Sequence, residues 1–221
     1  MTSTENQVTR AIHNPINGKK LYEIDDAGEE QIINCFAKEK KKQPLIRKLS
    51  VEQRVDAILK INDYIIENRE KILTRIIEET GKSRFDALSS ELFEICDVID
   101  YFKKVAPKIL ADKTVHTPIV LMGKKSKIFF EPLGTVLVIT PWNYPLYQVF
   151  VPSILAFLAG NAVIVKPSEV TPLKGLVEEI LEKSGFIENA IQVVCGGKET
   201  GKLLIENCPD KIHFTGSVES R

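Results

Sequence analysis

Apolar positions along the chain follow two different periods, and the change from one to the other divides it. Between residues 28 and 107 they recur every three to four positions, the spacing of amphipathic helices. Ile32, Ile33, Cys35, Phe36 and Ala37 predict a first helix over 28–42 that ends in the basic run Lys38-Glu39-Lys40-Lys41-Lys42. A cationic helix end suits the helix dipole, so this run reads as a solvated terminus. Ser50 with Gln53 forms a capping-box signature. Behind it Val55, Ile58, Leu59, Ile61, Ile65 and Ile66 line one face of a second helix. Ile72, Leu73, Ile76 and Ile77 mark a third over 69–80, with Gly81 suited to its C-terminal cap. Leu88, Leu92, Ile95, Cys96, Ile99 and Phe102 mark a fourth, expected to stop near Pro107. Upstream of these, Asn14-Pro15 and Asn17-Gly18 are turn dipeptides.

Two β-prone runs, 115–122 and 126–131, follow with Gly123-Lys124-Lys125 between them and predict a ribbon. After that, short continuous apolar runs at 133–139, 162–165, 191–194 and 211–214 read as buried strands. Helical stretches separate them: 145–159, where Pro152 should kink or restart the helix; one opening at Thr171-Pro172 and closing at Gly185; and 201–207. Strand–helix alternation at this spacing predicts a parallel sheet covered on both faces.

Composition narrows the function. Thirty basic and thirty acidic residues cancel, which gives no support for nucleic-acid or membrane-surface binding. No stretch is long and apolar enough to span a bilayer, and the polar N-terminus carries no apolar signal region. Cys35, Cys96, Cys195 and Cys208 are scattered without a paired spacing, so free thiols and a cytoplasmic location are expected. His13, His116 and His213 are equally dispersed, and no metal site is expected.

Ligands bind at the carboxyl ends of strands in such a sheet. Unusual polar residues stand there: Thr140-Pro141-Trp142-Asn143, Lys166-Pro167-Ser168-Glu169, Cys195 through Gly201, and Thr215-Gly216-Ser217. The stretches EPLGTVLVITPWNYP (131–145), AFLAGNAVIVKPSEVTP (156–172), GGKETG (196–201) and HFTGS (213–217) resemble the aldehyde dehydrogenase superfamily, and a weaker likeness reaches back to NPINGK (14–19). The resemblance implies an α/β fold: a helical part of the cofactor-binding domain over 1–112, a β-ribbon serving oligomerisation over 113–132, and an incomplete Rossmann-like half over 133–221.

It also implies a reaction. A cysteine thiolate attacks an aldehyde, hydride passes to NAD or NADP, and water releases the acid. Asn143 matches the oxyanion-hole amide, a neutral donor that serves best when pre-positioned. Read alone, it would be a turn residue with an Asx hydrogen bond. Lys166 and Glu169 match ribose ligands. A carboxylate accepts two hydroxyls and repels a 2′-phosphate, which leans the cofactor towards NAD, with NADP the alternative. Read alone, Ser168 would cap a helix. The resemblance further assigns Thr140, Pro141, Trp142, Pro167, Ser168, Gly197, Gly201, Phe214, Gly216 and Ser217 to the cofactor cleft. The family's nucleophilic cysteine follows a Gly-Gln pair, and its general base lies in Glu-Leu-Gly-Gly. Neither motif occurs in the 221 residues. The chain is therefore expected to be an N-terminal portion, inactive alone, that self-associates or meets a complementary C-terminal half. Cys195 and Cys208 have no cationic neighbour or helix start to activate them and are not expected to substitute.

Overall fold

A computed structural model describes residues 8–217. The chain opens with an antiparallel hairpin, β1 (Thr9–His13) and β2 (Lys20–Asp25), where the sequence shows only turns. Asn14 and Asn17 each cap the connection through their side-chain oxygens, and Gly18 takes the left-handed conformation at φ 70°. Only Ile12 and Ile24 of the two strands reach the core.

Helix α1 (Glu29–Arg47) runs further than its polar end predicts, passing through Pro44. Helix α2 (Val51–Glu67) starts on the expected capping box: Ser50 Oγ accepts from Gln53 N at 3.2 Å and Ser50 N donates to Gln53 Oε1 at 2.8 Å. Helix α3 (Arg69–Thr80) ends on left-handed Gly81, φ 71°. The fourth predicted helix is three consecutive pieces: α4 (Arg84–Ala87), a π-helical turn over Leu88–Phe93, and α5 (Glu94–Ile109). Pro107 does not stop it. The carbonyl that loses its partner belongs to Lys103, which is exposed and available to water.

The ribbon, β3 (Lys113–Val115) with β4 (Ser126–Ile128), is shorter than its apolar runs, and a 3-10 turn at Ile119–Leu121 occupies the first of them. The sheet comprises β5 (Thr135–Ile139), β6 (Ala162–Lys166), β7 (Ile191–Val193) and β8 (Lys211–Phe214), all parallel, in the order β7-β6-β5-β8. Helix α6 (Pro145–Leu158) continues through Pro152 as a single helix. Helix α7 (Leu176–Lys183) begins after left-handed Gly175 and not at Thr171-Pro172. The intervening residues are engaged elsewhere: Thr171 Oγ1 donates to Trp142 O at 2.7 Å, and Leu173 N donates to Glu79 Oε2 at 3.0 Å. Helix α8 (Lys198–Glu206) precedes β8.

The sheet has two unequal apolar faces. One packs Val136, Val138, Val163 and Val165 against α2, α3, α5, α6 and α7 in the main core. The other sets Leu137, Ile164 and Val194 against Ile32, Cys35 and Phe36 of α1 and Leu204 of α8. Alternate residues of β5 and β6 serve opposite faces, which is why these runs read as continuously apolar.

Candidate nucleotide and oxyanion site

Connections from β5 run through β6 to β7 on one side, then return through α8 to β8 on the other. The chain therefore reverses direction beside β5, and this topological switch point is where α/β sheets open a crevice. Parallel register brings all four strand ends to one edge. Thr140 N donates to Lys166 O at 3.1 Å, Thr215 N to Ile139 O at 3.0 Å, and Val194 N to Val165 O at 2.9 Å.

Thr140 is buried at this edge, and its Oγ1 has no hydrogen-bond partner among the described residues. A buried hydroxyl left unsatisfied marks a place where a polar ligand or water belongs. Pro141 is half-buried, whereas Trp142, 60% accessible, and Asn143 face outward. The Asn143 amide makes no hydrogen bond among the described residues; it is not consumed by an Asx turn and is free to donate.

Lys166 is only 5% accessible. Its Nζ donates to Pro167 O at 3.2 Å and lies 3.5 Å from Glu169 Oε2. Burial lowers the pKa of the Lys166 ammonium, and Glu169 opposes that shift. Ser168 caps no helix; its Oγ accepts from Val170 N at 3.2 Å and shapes the turn that carries the half-buried Glu169. Gly201 of α8 lies beside the lysine stem, where a Cβ would make ordinary contact with Lys166 Cδ and Cε at 3.7 Å. Phe214 is half-buried, and its ring lies against Gly216, where a Cβ would collide with it. Ser217 is exposed beside them.

The structure adds residues that linear spacing does not reveal. Arg10 of β1 forms a bidentate pair with Asp26, at 2.7 and 2.9 Å, and its guanidinium occupies the space a side chain at Gly197 would need. The hydrogen bond from Arg10 holds the Asp26 carboxyl below its usual range, and the charges of Lys166 on Asp26 and Glu169 on Arg10 tie this pair to the cluster. Residue 27 docks the hairpin on the same loop: Ala27 N donates to Cys195 O, and Thr200 Oγ1 to Ala27 O. Only tertiary folding brings these positions together.

None of the thiols stands at the Asn143 turn in an activating environment. Burial pushes Cys195 up to about 11, Cys96 to about 11 and Cys35 to about 12, and Cys208 lies exposed after α8. Among the described residues no group of histidines, cysteines and carboxylates could hold a metal ion, and no helix is long and apolar enough to cross a membrane. A groove of about 480 Å³ along the outer edge of β7 is lined by Glu178, Phe186 and Ile187 and shares no residue with the cluster.

Polar groups gathered at the switch point of a doubly covered parallel sheet define an α/β fold of the ligand-binding kind. The aldehyde dehydrogenase family model matches residues 2–220, and the chain belongs to that family. It is 33% identical over 214 residues to a 4,4'-diapolycopene aldehyde oxidase of Methylomonas sp., covering 96% of this chain and 40% of the relative. It is 33% identical over 211 residues to a putative NADP(+) succinate-semialdehyde dehydrogenase of Mycobacterium ulcerans, covering 95% of this chain and 40% of the relative. Among solved structures it matches a betaine aldehyde dehydrogenase variant from Staphylococcus aureus in complex with NAD+, at TM-score 0.88 and 29% identity, covering 96% of this chain and 43% of that one. The chain thus spans about 40% of the length of the curated relatives it matches.

Proposed function

We propose that these residues supply the nucleotide half and the oxyanion donor of an NAD(P)-dependent aldehyde dehydrogenase. The observation that carries this reading is the convergence of an unengaged Asn143 amide, an orphaned Thr140 hydroxyl and the Lys166–Glu169 pair on one sheet edge. A nicotinamide cofactor would contribute hydride acceptance. Lys166 and Glu169 would hold a ribose, the loop of Gly197 and Gly201 with Arg10 packed over it would border the adenine side, and Phe214, Gly216 and Ser217 would border the pyrophosphate side. The carboxylate of Glu169 favours a free 2′-hydroxyl over a phosphate and Lys166 partly offsets that, so the site leans towards NAD with NADP the alternative. Asn143 would donate its N–H to the oxygen on which negative charge develops. The attacking sulfur is not among the four thiols, and the 221 residues alone are expected to oxidise no aldehyde.

Titration calorimetry with NAD tests the nucleotide half. Micromolar binding that Glu169→Ala removes supports it, and an absence of heat at millimolar NAD would sink it. NADH formation from an aldehyde that survives both Asn143→Ala and replacement of every cysteine would refute the assigned chemistry.

A second reading, self-association through the ribbon, rests on the exposure of Ile119, Val120 and Met122 at its tip. Contiguous exposed apolar side chains of this kind mark contact surfaces. Sedimentation velocity should show an oligomer that Ile119→Ser with Met122→Ser shifts to monomer; an unchanged distribution would dismiss the ribbon as the contact.

A further inference from the structure

The turn that presents Asn143 is anchored from behind by groups outside the strand-edge cluster. Glu91 lies in the π-helical turn and is fully buried. Its Oε2 accepts from Leu146 N at 2.8 Å and from Tyr147 N at 3.2 Å, the free amides of the first turn of α6. Its other oxygen accepts from Lys82 Nζ at 2.6 Å. That ammonium in turn lies 4.1 Å from the centroid of the Tyr144 ring. Tyr144 is both the residue after Asn143 and the one flanking the start of α6, and its own side chain provides no cap there. From the opposite side Thr171 Oγ1 holds Trp142 O.

Each part has a physical reason. A helix start leaves its first amides without partners, and a carboxylate satisfies them while complementing the dipole. A buried carboxylate is tolerated only when paired, and Lys82 provides the pair. An ammonium over an aromatic face gains from the ring quadrupole and fixes that ring. The π-helical turn brings an extra residue into the α4–α5 path, and such turns occur often at functional sites.

We infer that Glu91 and Lys82 are positioning residues for the oxyanion amide: together they lock the Trp142-Asn143-Tyr144 turn onto the start of α6. This deepens the proposed function and rests on it only for the role of Asn143; the lock itself is a property of the folded chain.

Trp142 is the sole tryptophan, so its emission reports on this turn alone. In the full 221-residue chain, Glu91→Gln and Lys82→Met should each lower the fluorescence anisotropy of Trp142. They should also move the backbone amide signals of Asn143 and Tyr144 in an amide-correlation spectrum towards random-coil positions. The double variant should show no greater loss than either single one, because the two residues form one device. Lys82→Arg, which keeps the charge, should retain the wild-type anisotropy. Ile61→Val, in the core away from the turn, supplies a control that loosens the fold without touching the lock. Anisotropy and amide signals unchanged in both single variants would overturn the inference, as would an equal loss in the Ile61 control. Should Glu91→Gln fail to fold, Lys82→Met on the rim of the pair carries the same test. A chain that binds no NAD but shows the anisotropy pattern would refute the nucleotide reading and leave the lock standing.

Discussion

Replacing Glu39 with glutamine should raise stability in alkaline solution and leave it almost unchanged near pH 4. Glu39 sits on α1 with no solvent exposure, packed where α1 meets the sheet. Gln192 Nε2 donates to its Oε1 at 2.6 Å, while Oε2 has no partner among the described residues. Burial dominates and pushes the carboxyl up to about 8, with Gln192 and Lys42 opposing the shift. The folded chain therefore keeps a proton that the unfolded chain releases near its ordinary value of 4.5. Unfolding becomes easier as pH rises through that window, and the contribution is intact below 4.5 and gone above about 8. At about 1.4 kcal/mol per pH unit, the loss across the window is several kcal/mol at most. Glutamine preserves the bond from Gln192 and carries no titrating proton. The difference between variant and wild-type unfolding free energies, measured in urea from pH 4 to 9, should grow towards the alkaline end. A flat difference would show that Glu39 is ionised in the fold. Glu79 and Glu91 are also raised by burial, so the wild-type curve retains a slope that the variant shares.

Phe157→Ala should cost roughly 3–5 kcal/mol, the usual range for emptying a buried aromatic site. Phe157 is fully buried near the end of α6, and its ring meets Phe186 edge-on at 4.8 Å. That contact joins α6 to the turn after α7, so the cavity would open between two helices that cover the same face of the sheet. Collapse into it is resisted because α6 is fixed at its other end through Leu146 and Tyr147. Phe85→Ala removes a ring that is largely in solvent and should change stability by no more than about 0.5 kcal/mol. Equal midpoints for the two variants in urea would contradict this account of the core.

The helices and the four sheet strands were legible because their apolar periods are uninterrupted, and the capping box at Ser50 and the glycine at 81 gave local boundaries. The first hairpin was not, since only Ile12 and Ile24 turn inward and two residues make no period. Asn17-Gly18 was a usable hairpin signal, weakened by its six-residue connection. The proline at 107 misled, because the Lys103 carbonyl that it orphans is exposed to solvent, and at 152 the helix does not restart. The expected start of α7 at Thr171 failed because that residue's hydroxyl is spent on the Trp142 carbonyl. Of the site, the strand-end residues were readable from order and spacing. Arg10 and Asp26 were not, because their meeting with Gly197 depends on how the hairpin docks. Glu91 left a faint trace, an acidic residue three places after Leu88 within an apolar stripe.

Every residue of β6 is buried, and both of its edges are bonded to neighbours. Its amide protons should therefore exchange with deuterium only when the entire fold opens, whereas those of the ribbon and the outer hairpin should exchange through local excursions. Lys166 is the terminal residue of that slowest segment, so its ammonium should hold its place long after the periphery has begun to breathe.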